Sequence, residues 1–309
     1  MRNPLVKTKS SFLRLLLLLA IVTASSVIVI ALGIIVGIPF WGADIIDKVG
    51  SEPDFNNLAV TNFYRYMQTL SHFALFIVPA LFFAFLVSPS SKKYFQIKRK
   101  INPIPFLISI ALILIVLPFL NFVGEWNASL VFPESMAGIN TWIKASEESA
   151  MELTKGFLAV ETFHAYLFNI FMIAIIPAIG EEMIFRGIIL KEIKSGVKNI
   201  HIAVVLSAIL FSAMHMQFFG FFPRIILGII LGYLFIWSKN ILFPMLIHFL
   251  NNAIAVTIAY LNNIGVINID FESFGSFDGS IMAILVSLIL SILLMYLISK
   301  TTKKKEIQT

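Results

Sequence analysis

No cysteine occurs among these 309 residues, and only 13% of them are charged. The first absence removes disulfides, thiolate nucleophiles and thiolate metal sites together. The second leaves the chain with about half the charge of a soluble domain, which carries roughly 25%. Alternating strand-like patterns are missing too. The apolar runs are continuous and helix-length, about 20 residues, where a barrel strand would show roughly ten alternating ones. What is present agrees: 59% hydrophobic residues, 30 Phe and a mean hydropathy of +0.92. The reading is an all-α, polytopic integral membrane protein. Its Phe excess is lipid-facing and packing, and needs no cofactor. Its net charge of +6 follows membrane topology, so no nucleic acid is expected as partner.

Eight apolar runs can be drawn, at about 12–38, 66–87, 104–123, 160–190, 200–218, 222–238, 241–261 and 280–299. The first is too long for a signal-peptide core and reads as a retained span. The fourth exceeds a bilayer's need and must tilt, kink at Pro177 or extend beyond the membrane. Placing the N-terminus inside puts 18 of the 23 Lys and Arg on inner segments and 13 of the 17 acidic residues outside. That is the positive-inside asymmetry. Both termini are therefore expected in the cytoplasm, with the protein multi-pass in the cell membrane. Residues 1–155 form a three-span region with outer acidic loops, of which 124–156 is amphipathic and suits an interfacial helix. Residues 156–262 form a polar-bearing core. Residues 263–309 add a last span and a basic cytoplasmic tail. Gly33/Gly37 and Gly228/Gly232 have the four-residue spacing of close helix contact.

Charge inside a span is a functional hypothesis by default, because insertion costs about 2.5–3.5 kcal/mol per charge. Glu181, Glu182 and Arg186 interrupt the fourth run. Glu182 and Arg186, four apart, share a helix face and can pair. Glu181 lies off that face without a local cation, which makes it a candidate general base or acid. The fifth run carries Phe211 and His215; the seventh carries His248 and Asn252, again four apart. Taken singly, these are a buried ion pair, a packing histidine and an interhelical hydrogen bond. Counted at 1.5 Å per residue from the inner ends, Glu181 and Asn252 lie roughly 18 Å deep, His215 roughly 24 Å and His248 roughly 12 Å. All four fall in one central band, with a gap between the histidines for tilt to absorb. His72 and Asn121 read as packing or cavity-lining residues. Glu161 with His164 suits a local hydrogen bond, and Arg224 an outer-interface anchor.

In this order on successive membrane helices, Glu-Glu-x-x-x-Arg (181–186), Phe-x-x-x-His (211–215) and His-x-x-x-Asn (248–252) resemble the CPBP family. That family comprises the type II CAAX prenyl proteases and the bacteriocin-processing, Abi-like proteins, some linked to bacteriocin immunity. The resemblance covers about residues 160–262. It implies eight helices around a water-filled intramembrane cavity open to the cytoplasm. It also implies an endopeptidase acting on a peptide or membrane-anchored protein within the lipid bilayer. Glu181 and His215 would activate the hydrolytic water, His248 and Asn252 would hold the oxyanion, and Glu182 with Arg186 would support Glu181. Zinc or another divalent metal remains open as a cofactor, since the family is often labelled metalloprotease and one Glu with two His can form an open zinc site. However, no His-Glu-x-x-His helix occurs, and Asn252 suits an oxyanion better than a metal. The alternative is a non-catalytic binding or immunity protein, scaffold or transporter-like, using the same polar cavity.

Overall fold

A computed structural model of the protein describes residues 3–43, 55, 57–98, 100–268 and 280–306. Most of the outer loops read from sequence at 41–65 and 262–279, and the end of the basic tail, lie outside the described residues. The chain is an all-helical membrane protein. Its helices are α1 (Ser11–Trp41), α2 (Leu58–Val87), α3 (Pro103–Ile115), α4 (Leu117–Ala128) and α5 (Ala137–Leu158). They continue with α6 (Phe163–Val197), α7 (Ile200–Ala213), α8 (Phe221–Ser238), α9 (Leu242–Asn263) and α10 (Ile281–Glu306).

Short polar residues set the starts. Side chains of Ser10, Asn57, Asn102, Thr162 and Asn199 accept the otherwise orphaned backbone N–H groups of α1, α2, α3, α6 and α7. Six helices among the described residues are long and apolar enough to span: α1, α2, α6, α8, α9 and α10. α3 and α4 together are also long and apolar enough, but they meet at a 42° bend. Pro118 follows that break, where it removes a backbone donor. Ser287 of α10 repairs it, donating to Ile115 O at 2.6 Å and accepting from Phe119 N at 3.3 Å. The fifth expected span is shorter than its apolar run. α7 has 14 residues, about 21 Å, and the chain then turns with Met216 at φ 52.

Pro177 bends the fourth run less than expected. α6 remains one helix of 35 residues, absorbing the proline with a π turn at Ile170–Ile175. A second π turn, Phe73–Ile77, precedes Pro79 in α2 in the same way. Each proline lacks the N–H owed to the carbonyl four residues back, and the widened turn relieves the ring clash. The two π-bearing helices touch at Gly180, where a Cβ would lie 2.7 Å from that of Phe76. Gly228 allows equally close packing of α8 on α7, a Cβ there lying 2.8 Å from that of Ala208.

The two ends of the bundle differ. At one, Arg14 of α1 pairs with Glu192 of α6 at 3.3 Å, and Tyr94 donates to the same carboxylate at 3.4 Å. Lys191 Nζ donates to the carbonyl of Tyr94. Burial, then the Glu192 charge, raises the Tyr94 phenol above its ordinary range and keeps it a donor. At the other end, α5 lies along the bundle as the amphipathic helix that its sequence implied. Ile143 and Phe157 are buried, while Trp142 and Met151 are exposed.

Candidate active site

Consecutive residues on α6 point about 100° apart, which sends its two glutamates into different surroundings. Glu182 is fully buried, and its Oε1 accepts from Arg186 Nη1 at 2.6 Å. This is the expected pair. The same oxygen also accepts from His248 Nδ1 at 2.9 Å, a third partner that the spacing did not show. Arg186 is completed by Gly228 O at 2.9 Å and by the Phe211 ring, 4.7 Å from its guanidinium carbon. The bonds gather on Oε1, while Glu182 Oε2 is buried with no hydrogen-bond partner.

Glu181 differs in facing a cavity. It is 4% exposed and lines a cavity of about 530 Å³, yet its Oε2 has no hydrogen-bond partner. His248 Nε2 stands 3.9 Å from Oε2, and His72 Nδ1 stands 4.0 Å from Oε1. These gaps exceed hydrogen bonds and suit an intervening water or substrate atom.

His215 and Asn252 line the same cavity. His215 lies past the end of α7, in the turn, with its Nδ1–H donated to Phe211 O at 3.0 Å. The Phe211 ring meets His215 edge-on at 5.2 Å and His248 at 5.9 Å. Counting depth along an unbroken helix set these histidines apart; the early end of α7 brings both onto one phenylalanine. Asn252 Nδ2 donates to Ile173 O at 3.2 Å, the carbonyl that Pro177 leaves unpaired, and its Oδ1 accepts from Asn251 at 3.1 Å. One amide hydrogen of Asn252 remains for the cavity.

Hydrogen bonding fixes tautomers. The Glu182 carboxylate accepts only, so His248 carries a proton on Nδ1; a donor at its Nε2 then requires the imidazolium. Metal binding fits poorly. Among the described residues no group of three His, Asp or Glu side chains could hold an ion. Gln68 Nε2, a donor, faces His72 Nε2 at 3.2 Å, which leaves the His72 proton on Nδ1 and removes that lone pair from coordination. No step below is routed through a metal.

Sequence reasoning missed Gln68 and the cavity wall supplied by α5, including Leu153, Thr154 and Phe157. Neither carries a motif. Arg224 was read as an outer-interface anchor. It folds onto its own loop, donating to Gly220 O at 3.1 Å and Gln217 Oε1 at 3.2 Å, and braces the turn that precedes α8. Glu161 and His164 are exposed at the start of α6 and do not line the cavity. His201 pairs with Tyr233 at 2.7 Å.

The cavity mouth lies where Thr154 and Met214 are exposed. This is the α5 end of the bundle, opposite Arg14, Tyr94 and Glu192. The lysine count assigns that end to the outside, whereas the family resemblance implies a cytoplasmic mouth. The two expectations conflict in this fold.

Residues 163–254 match the family described as type II CAAX prenyl endopeptidase Rce1-like. A relative from Staphylococcus aureus (strain USA300), the membrane-embedded CAAX protease MroQ, is 31% identical over 99 residues. Both matches support a CPBP reading of this segment. Within it stand Glu181, Glu182, Arg186, His215, His248 and Asn252. The MroQ match spans 30% of this chain and 40% of that relative, and His72, Gln68 and α5 lie outside residues 163–254. No solved structure matches significantly.

Proposed function

We propose that this chain is an intramembrane endopeptidase of the CPBP kind, hydrolysing a peptide bond in a peptide or membrane-associated protein. The observation that carries the reading is Glu181 Oε2, an unpaired buried carboxylate oxygen on a cavity and 3.9 Å from His248 Nε2. A water in that gap has a base on one side. Amide hydrolysis needs that base, and donors aimed at the developing oxyanion. His215, whose Nδ1–H is tied to Phe211, keeps Nε2 as an acceptor for the same water. The free Asn252 amide hydrogen and an imidazolium His248 supply the donors. Glu182 and Arg186 position His248 and take no proton. The donor geometry favours a glutamate- and histidine-activated water over a metal-bound one.

Both termini are assigned to the cytoplasm, so the mouth faces outward and substrate approaches past α5. The test uses the purified full-length protein in lipid nanodiscs and two internally quenched CAAX peptides, one farnesylated and one not. Glu181→Gln is expected to abolish cleavage while retaining the wild-type melting temperature. Cleavage by Glu181→Gln at the wild-type rate, or no cleavage of either peptide by wild type, overturns the reading.

A further inference from the structure

The Gln68–His72 pair of α2 belongs to none of the three motifs and lies outside the CPBP segment, yet it faces the same carboxylate. His72 is one helical turn from Gln68, so both share a face, and both line the cavity. The ring stacks on Phe76 at 5.6 Å. Its Nε2 is met at 3.2 Å by Gln68 Nε2. An amide nitrogen can only donate, so the imidazole nitrogen accepts and the neutral ring holds its proton on Nδ1. That Nδ1 is buried, has no other hydrogen-bond partner and stands 4.0 Å from Glu181 Oε1. The approach of α2 to α6 at Gly180 puts it there.

We propose that His72, locked in the Nδ1–H tautomer by Gln68, is a positioning residue for Glu181. It donates towards Oε1, directly on a small approach of the two helices or through one water, and so leaves Oε2 to face the reacting water. The division of labour matches the other glutamate, where Arg186 and His248 take Glu182 Oε1. Lost positioning lowers kcat, because the base is misaimed in the transition state, and leaves substrate binding largely intact. This inference rests on the proposed proteolytic role of Glu181, but its tautomer can be read without turnover.

Two measurements test it. The first is nitrogen NMR of the full-length protein carrying ¹⁵N-labelled histidine, with His72→Phe assigning the signal. The proposal expects a pyrrole-type shift for His72 Nδ1, lost in Gln68→Leu and displaced in Glu181→Gln. A protonated Nε2 in the wild type, or a His72 signal indifferent to both substitutions, overturns it. The second is cleavage of the same quenched peptides. His72→Phe is expected to lower kcat about 10- to 100-fold, the worth of a hydrogen bond to a charged group, with KM within about twofold. His72→Gln, which can restore a donor, should recover most of that loss. Should His72→Phe fail to fold, Gln68→Leu is expected to show the same kcat-selective loss at an unchanged melting temperature. Equal activity of His72→Phe and wild type defeats the positioning role alone if Glu181→Gln is inactive. An active Glu181→Gln defeats the proteolytic reading, and the NMR result then stands by itself.

Discussion

His248 and Arg186 donate to the same oxygen of Glu182, at 2.9 and 2.6 Å. The shared oxygen joins α6 to α9 and makes the charge pair part of the site as well as part of the core. Removing one member leaves a buried charge alone, at about 3–5 kcal/mol, whereas replacing both by apolar groups is often neutral. Glu182→Leu and Arg186→Met should each lower the melting temperature sharply. The double variant should lie nearer wild type in melting and still fail to cleave, because His248 has lost its acceptor. Recovery of cleavage in the double variant would show that Glu182 serves stability only.

This arrangement marks how far the sequence could be read. Composition and run length established an all-helical membrane protein, and of the residues in the three four-residue spacings His215 and Asn252 line the cavity beside Glu181, with His248 3.9 Å from that carboxylate. Spacing within one helix is local geometry, so Glu182–Arg186 was legible. His248 on Glu182 joins helices 66 positions apart, and no periodicity encodes it. The short α7 was hidden because residues 200–218 stay mostly apolar while the backbone turns. Gln68 was hidden differently: its pairing with His72, which the sequence marked as packing or cavity-lining and which lines the cavity, is a pattern most membrane helices could carry, and only the close approach at Gly180 gives it an object.

Asn252 has two tasks that can be separated. Its amide reaches Ile173 O, the carbonyl Pro177 cannot serve, and the remaining hydrogen faces the cavity. Asn252→Ala should cost stability and lower kcat by about 10²–10³-fold if that hydrogen serves an oxyanion. Pro177→Ala offers Ile173 a backbone donor. In that background the stability cost of Asn252→Ala should shrink by about 1 kcal/mol, with the kcat loss unchanged. A kcat that recovers along with stability assigns Asn252 to the carbonyl alone.

Donor geometry gives the expectation for metals. Gln68 turns the His72 lone pair away from Glu181, and among the described residues no group of three His, Asp or Glu side chains could hold an ion. Incubation with 1,10-phenanthroline and dialysis should leave cleavage of the quenched peptides unchanged, and added zinc should not raise it. Loss on chelation with return on zinc add-back would overturn the metal-free activation of the water.

The orientation of the mouth is open to a direct experiment, because a chain without cysteine needs no background removed. Ser149 is exposed on α5, at the cavity end, and Lys92 is exposed at the opposite end. Ser149→Cys and Lys92→Cys each provide one thiol on an exposed position that makes no contact in the cavity. The lysine and arginine bias favours a cytoplasmic Lys92. In intact cells a membrane-impermeant maleimide should therefore modify Ser149→Cys and spare Lys92→Cys until the membrane is opened. This outcome would have substrate enter from the outer face, past α5. The reverse pattern would place the mouth in the cytoplasm, as the CPBP resemblance implies, and would mean that the basic residues of this chain are distributed against the rule that orients most membrane proteins.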